Sequence, residues 1–218
     1  MNSALPAAPE AIARTISRED LANLPIRRYE GRIVLVATPG ELEDARSDLR
    51  GETIVGLDTE TRPAFKKGES HLPCLVQCAT ARAVYLFQLR RTEANPVLAE
   101  LLGDPHIVKA GISLKDDLRA LKQVFAFSEQ HMLDLGLVAR ANGFGQTGVR
   151  NLAGILLGTR IPKGTKTSNW AARELSHAQI AYAATDAWVC RELHLRFERL
   201  GMLRANPPAP AENSPALL

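Results

Sequence analysis

At 218 residues, with 45% hydrophobic and 23% charged side chains, the chain has ordinary globular composition and enough apolar material for one good core. A net charge of +3 and a pI near 8.9 are only mildly basic and identify no nucleic-acid binder, although gathering acids into one site leaves the rest of the surface more basic. No apolar run is long enough to span a membrane, no basic segment followed by an apolar core marks a signal peptide, and three cysteines without a framework fit a reducing cytosol, so a cytoplasmic protein is expected.

Residues 1–16, rich in Ala and Pro, read as a flexible segment. Ser17 followed by Asp20 predicts a short capped helix over Arg18–Asn23. Arg32–Ala37 reads as a strand, and Pro39 opens a helix that runs to Arg50. Thr53–Glu60, apolar and β-branched, reads as a buried strand that ends in Asp58 and Glu60. Two residues apart on a strand, those carboxylates share a face and repel each other. A divalent cation such as Mg²⁺ or Mn²⁺ resolves the conflict; a strand simply running out into solvent is the plainer alternative.

The loop from Thr61 to Pro73 carries Arg62, Phe65, Lys66, Lys67 and Gly68 beside those acids. Its cations suit a phosphate backbone and Phe65 suits base stacking, unless the loop is merely solvated and the ring turns back to the core. Cys74–Ala79 and Ala83–Leu89 read as a hairpin, which completes an antiparallel meander with the acidic strand. Cys74 and Cys78 on one strand stand about 13 Å apart, too far for a disulfide. A helix over Asn95–Leu102 and a strand over His106–Ala110, ended by Gly111, come next.

From Leu114 to about Phe125, Leu114, Leu118, Leu121 and Phe125 form a helical core stripe. Asp117 falls about 75° from its centre, at the rim, whereas Asp116 lies nearly opposite and faces water. Both are also acceptable as surface acids offsetting the helix dipole. Met132–Ala141 and Val149–Leu157 read as two further helices. The polar stretch Gly158–Asn169, with Lys163 and Lys166, is either a second phosphate-binding segment or an exposed loop, and Trp170 reads as a packing anchor. Ser176 to about Leu200 is the longest helix, with Tyr182, Asp186, Val189, Leu193, Phe197 and Leu200 on one face. An aspartate on an apolar face needs a cation or a hydrogen bond, from Tyr182 one turn earlier or from a backbone amide. Residues 205–218 read as a disordered Pro-rich tail, which leaves 17–204 as a single domain.

Asp58-Thr59-Glu60, then Lys109-Ala110-Gly111 leading to Asp117-Leu118, then Tyr182-Ala183-Ala184-Thr185-Asp186-Ala187, resemble the three motifs of the DEDD superfamily of 3′–5′ exonucleases. Tyr182 four residues before Asp186 marks the tyrosine subtype; the histidine subtype would place His where Ala181 stands. Ser168-Asn169-Trp170, Leu175 and Gln179 are most similar to ribonuclease D and the Werner-syndrome exonuclease domain, a likeness that covers roughly residues 30–202. With no helicase segment and no clear second helical domain, a stand-alone catalytic domain is expected.

The resemblance implies an α/β, ribonuclease H-like fold with a mixed five- to six-stranded sheet flanked by helices. It also implies release of nucleoside 5′-monophosphates from the 3′ end of DNA or RNA with two divalent ions, Mg²⁺ or Mn²⁺. By the family pattern Asp58 touches both ions, Glu60 and Asp186 the first, and Asp117 the second, while Tyr182 aims the attacking water. Thr59, Phe65, Lys66, Lys67, Lys163 and Lys166 are candidate substrate contacts. The competing expectations are a non-catalytic nucleic-acid or protein-binding module on this fold and a related metal-dependent endonuclease. A thiol enzyme has little support.

Overall fold

The computed structural model describes residues 12–64, 66, 68–162 and 168–203. Phe65, Lys67, Lys163 and Lys166, and the Pro-rich tail, lie outside the described residues. Six strands form one sheet in the order β1-β4-β3-β2-β5-β6. They are β1 (Arg32–Leu35), β2 (Ile54–Thr61), β3 (Pro73–Ala79), β4 (Ala83–Gln88), β5 (Val108–Gly111) and β6 (Met132–Asp134). The meander β2-β3-β4 is antiparallel, as its short hairpin connection dictates, and β1, β5 and β6 join in parallel pairs.

The helices are α1 (Arg18–Asn23), α2 (Pro39–Arg50), α3 (Asn95–Gly103), α4 (Leu114–Leu121), α5 (Leu135–Ala141), α6 (Val149–Leu157) and α7 (His177–Arg199). Leu57, Val76, Cys78, Tyr85 and Phe87 point to one face of the sheet and pack with α2, α3 and α4. Leu75, Ala79, Val84 and Leu86 point to the other and meet Ala183, Ala184 and Ala187 of α7. The far half of α7 packs with α5 and α6 through Leu135, Leu152, Val189 and Phe197. This is the alternation that a sheet buried on both sides demands. Among the described residues no helix is long and apolar enough to cross a membrane.

Local signals account for most boundaries. Ser17 accepts from the Asp20 amide, and Thr38 with Glu41 makes a full capping box with Pro39 at the helix start. Ser176 and Gln179 build a second capping box, which fixes where α7 begins. Three expectations are corrected. Met132–Ala141 is not one helix: residues 132–134 pair with β5, and Asp134 then caps α5 by accepting from the Gly136 and Leu137 amides. α4 ends at Leu121 rather than Phe125, although Phe125 still packs in the core. Residues 12–16 are not loose either. Ile12 packs against the α6–α7 core, Arg14 stacks over Phe144, and the Ile16 amide donates to Gln146.

The approach of α7 to the sheet is set by one residue. A Cβ on Gly56 would stand 2.1 Å from the Ala187 carbonyl oxygen and 2.8 Å from the Arg191 amide nitrogen. Only glycine lets the helix backbone touch β2 there. Gly56→Ala is expected to lower stability by about 3 kcal/mol through overpacking, read as a fall in the urea midpoint. An unchanged midpoint would show that α7 is not seated by this contact.

Candidate metal centre

Asp58 and Glu60 leave β2 on the face that α7 covers, and Asp186 descends onto them from α7. One carboxylate oxygen from each lies within 4.8 Å of the others. Asp117 stands outside this trio, because α4 covers the opposite face of the sheet. Its charge nonetheless reaches Asp58. The helical geometry separating the two neighbouring acids holds. The Asp116 side chain is 78% exposed and pairs with Arg119 at 2.9 Å, whereas Asp117 is partly buried.

α4 is held in place at its start. Ser113 adopts a left-handed conformation with φ 60°, and the Leu114 amide donates to Asp134 at 3.2 Å. Asp134 therefore does two jobs that the sequence reading did not give it: it caps α5 and anchors the helix that carries Asp117.

The electrostatics are those of buried acids held close together. Burial, then the charges of Asp186, Glu60 and Asp117, push the Asp58 carboxyl far above the usual carboxylate range. Burial raises Asp117 to about 6, opposed by the neighbouring Thr59 hydroxyl and helped by Asp116 and Asp134. Burial likewise raises Asp186 to about 6, against the Tyr182 hydrogen bond and the Arg150 charge. Burial and the Asp186 charge raise the Tyr182 phenol, so it stays protonated beside Asp186.

Tyr182 itself packs beside buried Trp170, with ring centroids 6.1 Å apart, and Gln179 Nε2 donates to the Asn169 carbonyl at 3.3 Å. The stretch 168–170 thus braces the start of α7. Arg150 was not singled out by the sequence reading. Its one signal is a cation at the second position of α6, where the helix dipole disfavours it.

Oxygen-only donors of like charge suit a hard divalent cation such as Mg²⁺ or Mn²⁺. Asp58, Glu60 and Asp186 fit such an ion, because its charge would offset the burial and the like charges that raise Asp58 and the burial that raises Asp186. Lys66 is exposed on the loop after β2, where its amide donates to Glu69. The three cysteines are free, and burial pushes the Cys78 and Cys190 thiols up, away from the reactive thiolate.

The fold and the acidic cluster define a ribonuclease H-like α/β domain with three converging carboxylates that could hold a metal ion. The chain belongs to the 3′–5′ exonuclease family, which residues 33–201 match. It is 36% identical over 172 residues to a ribonuclease D of Gluconacetobacter diazotrophicus, covering 77% of this chain and 43% of that protein. It is 28% identical over 195 residues to a 3′–5′ exonuclease of Arabidopsis thaliana, covering 82% of this chain and 68% of that protein. The fold matches the crystal structure of the Aedes aegypti Nibbler EXO domain with a TM-score of 0.70 at 23% identity, over 81% of this chain and 91% of that one. The chain spans less than half the length of the ribonuclease D relatives it matches.

Folding raises the pKa of Asp117 and Asp186, so the metal-free native state binds protons more tightly than the unfolded chain. Stability from these groups is therefore present at low pH and lost as pH rises through about 6. A cation binds the ionised form and competes with those protons. Mn²⁺ is expected to raise the melting temperature by several degrees at pH 7.5 and far less at pH 5. An equal shift at both values would contradict the assignment of these acids.

Proposed function

We propose that this chain is a divalent-cation-dependent 3′–5′ exonuclease that shortens RNA from its 3′ end and releases nucleoside 5′-monophosphates. The observation that carries the reading is the convergence of Asp58, Glu60 and Asp186 within 4.8 Å, with the Tyr182 phenol beside Asp186 and raised by its charge. Membership of the 3′–5′ exonuclease family supports the reaction. The name ribonuclease D, borne by several of its relatives, favours RNA over DNA as substrate.

In this reading Asp58, Glu60 and Asp186 would hold one cation, and Asp117 with Asp58 would help to hold a second. Such ions lower the pKa of water and offset charge on the phosphate when bound. The chain's own part is positional. Glu60 and Asp58 project from a rigid strand, and Asp186 is fixed by the contact of α7 with Gly56. Tyr182, protonated and braced by Trp170, has a hydroxyl that orients the attacking water toward the phosphorus.

Four acids alone repel a nucleic-acid backbone, so substrate binding depends on the cations and on basic side chains around the site. Lys66, Lys67, Lys163 and Lys166 are the candidates for backbone contacts, with Phe65 and Thr59 as candidate contacts to the terminal nucleotide. The catalytic domain is the stretch 17–204, with residues 12–16 strapped onto it. Three free thiols are consistent with work in a reducing cytoplasm.

The test is a digestion ladder with 5′-labelled RNA and DNA of one sequence in Mg²⁺, Mn²⁺ or EDTA. Stepwise 3′ shortening, faster on RNA and absent in EDTA, is expected. Asp117→Ala should slow it by about a hundredfold or more, while Asp116→Ala stays within about twofold. Internal cuts would point to an endonuclease. No cleavage by the folded protein would favour a binding module.

A further inference from the structure

Gln77 is fully buried in the middle of β3, and neither its amide nitrogen nor its amide oxygen has a hydrogen-bond partner. Buried amides are rarely left unpaired, because both atoms give up water for nothing. Its surroundings point to one group. Along its own strand the same face carries Leu75 and Ala79, and across on β4 it faces Leu86. The α7 layer above contributes Ala183, Ala184 and Ala187. Gln88, farther along β4, has already committed its amide nitrogen to the Ala172 and Arg173 carbonyls. Directly opposite Gln77 on β2 stands Asp58. Side chains facing each other across an antiparallel pair have Cβ atoms about 5 Å apart, within reach of a glutamine amide.

We infer, on the reading that this centre holds divalent cations, that Gln77 is a positioning residue for Asp58: unpaired in the metal-free structure, its amide N–H turns to donate to the Asp58 carboxylate when the cations bind and fixes which oxygen faces them. An amide suits the task. It supplies a donor without adding a negative charge to a crowded acidic site and without a positive charge to compete with the cation. Groups that orient a metal ligand in this way are commonly worth 10- to 100-fold in metal affinity.

The experiment measures Mn²⁺ binding by calorimetry, together with urea unfolding of the metal-free protein, for wild type, Gln77→Met and Gln77→Leu. Replacing an unpaired amide by an apolar group of similar shape leaves the metal-free fold as stable as wild type or more so. Mn²⁺ binding to both variants is expected to weaken about tenfold or more. Unchanged affinity in a folded variant overturns the proposal, as does failure of both variants to fold, which would make the amide structural. Absence of Mn²⁺ binding by wild type would sink the cation reading itself, and this proposal with it.

Discussion

The packing of α7 on β2 forces an electrostatic conflict, and the rest of the structure is arranged around it. Gly56 admits the helix backbone to contact, and that contact delivers Asp186 to the pair already projecting from the strand. The gain is apolar: Ala183, Ala184 and Ala187 close over Leu75, Ala79 and Leu86. The cost is electrostatic, because acids are desolvated next to one another. The domain tolerates it because the helix is long, capped at its start and buried along much of its length. Active sites are where such locally unfavourable arrangements persist.

The acids of this region lie on opposite sides of the sheet. The α7 side supplies the tight trio, while the α4 side supplies Asp117, held through the bond from the Leu114 amide to Asp134. That division gives each acid a different neighbourhood. Asp186 has Tyr182 and Arg150 to moderate its charge, Asp117 has the Thr59 hydroxyl, and Asp58 has mainly other carboxylates around it. A bound cation would therefore relieve Asp58 more than Asp117 or Asp186.

Much of this was legible in the sequence, and the exceptions share a cause. The strand ending in Asp58 and Glu60, the capped helix bearing Tyr182 and Asp186, and the selection of Asp117 over Asp116 all follow from local periodicity. β6 does not, since Met132-Leu133-Asp134 is extended only because β5 offers an edge to pair with. The Asp134 cap was the available cue that α5 starts later. The close approach at Gly56, the charge of Arg150 near Asp186 and the orphaned amide of Gln77 are products of tertiary packing, and no spacing rule announces them.

Asp58→Asn tests the central claim most directly, because it separates the burden of the charge from its use. The asparagine keeps the shape but removes a charge that burial and the charges of Asp186, Glu60 and Asp117 all disfavour. Urea unfolding in chelator, beside RNA shortening in Mg²⁺, gives the answer in one pair of measurements. A higher urea midpoint than wild type and no shortening of RNA are expected. A variant less stable than wild type, or one that still trims RNA, would contradict it.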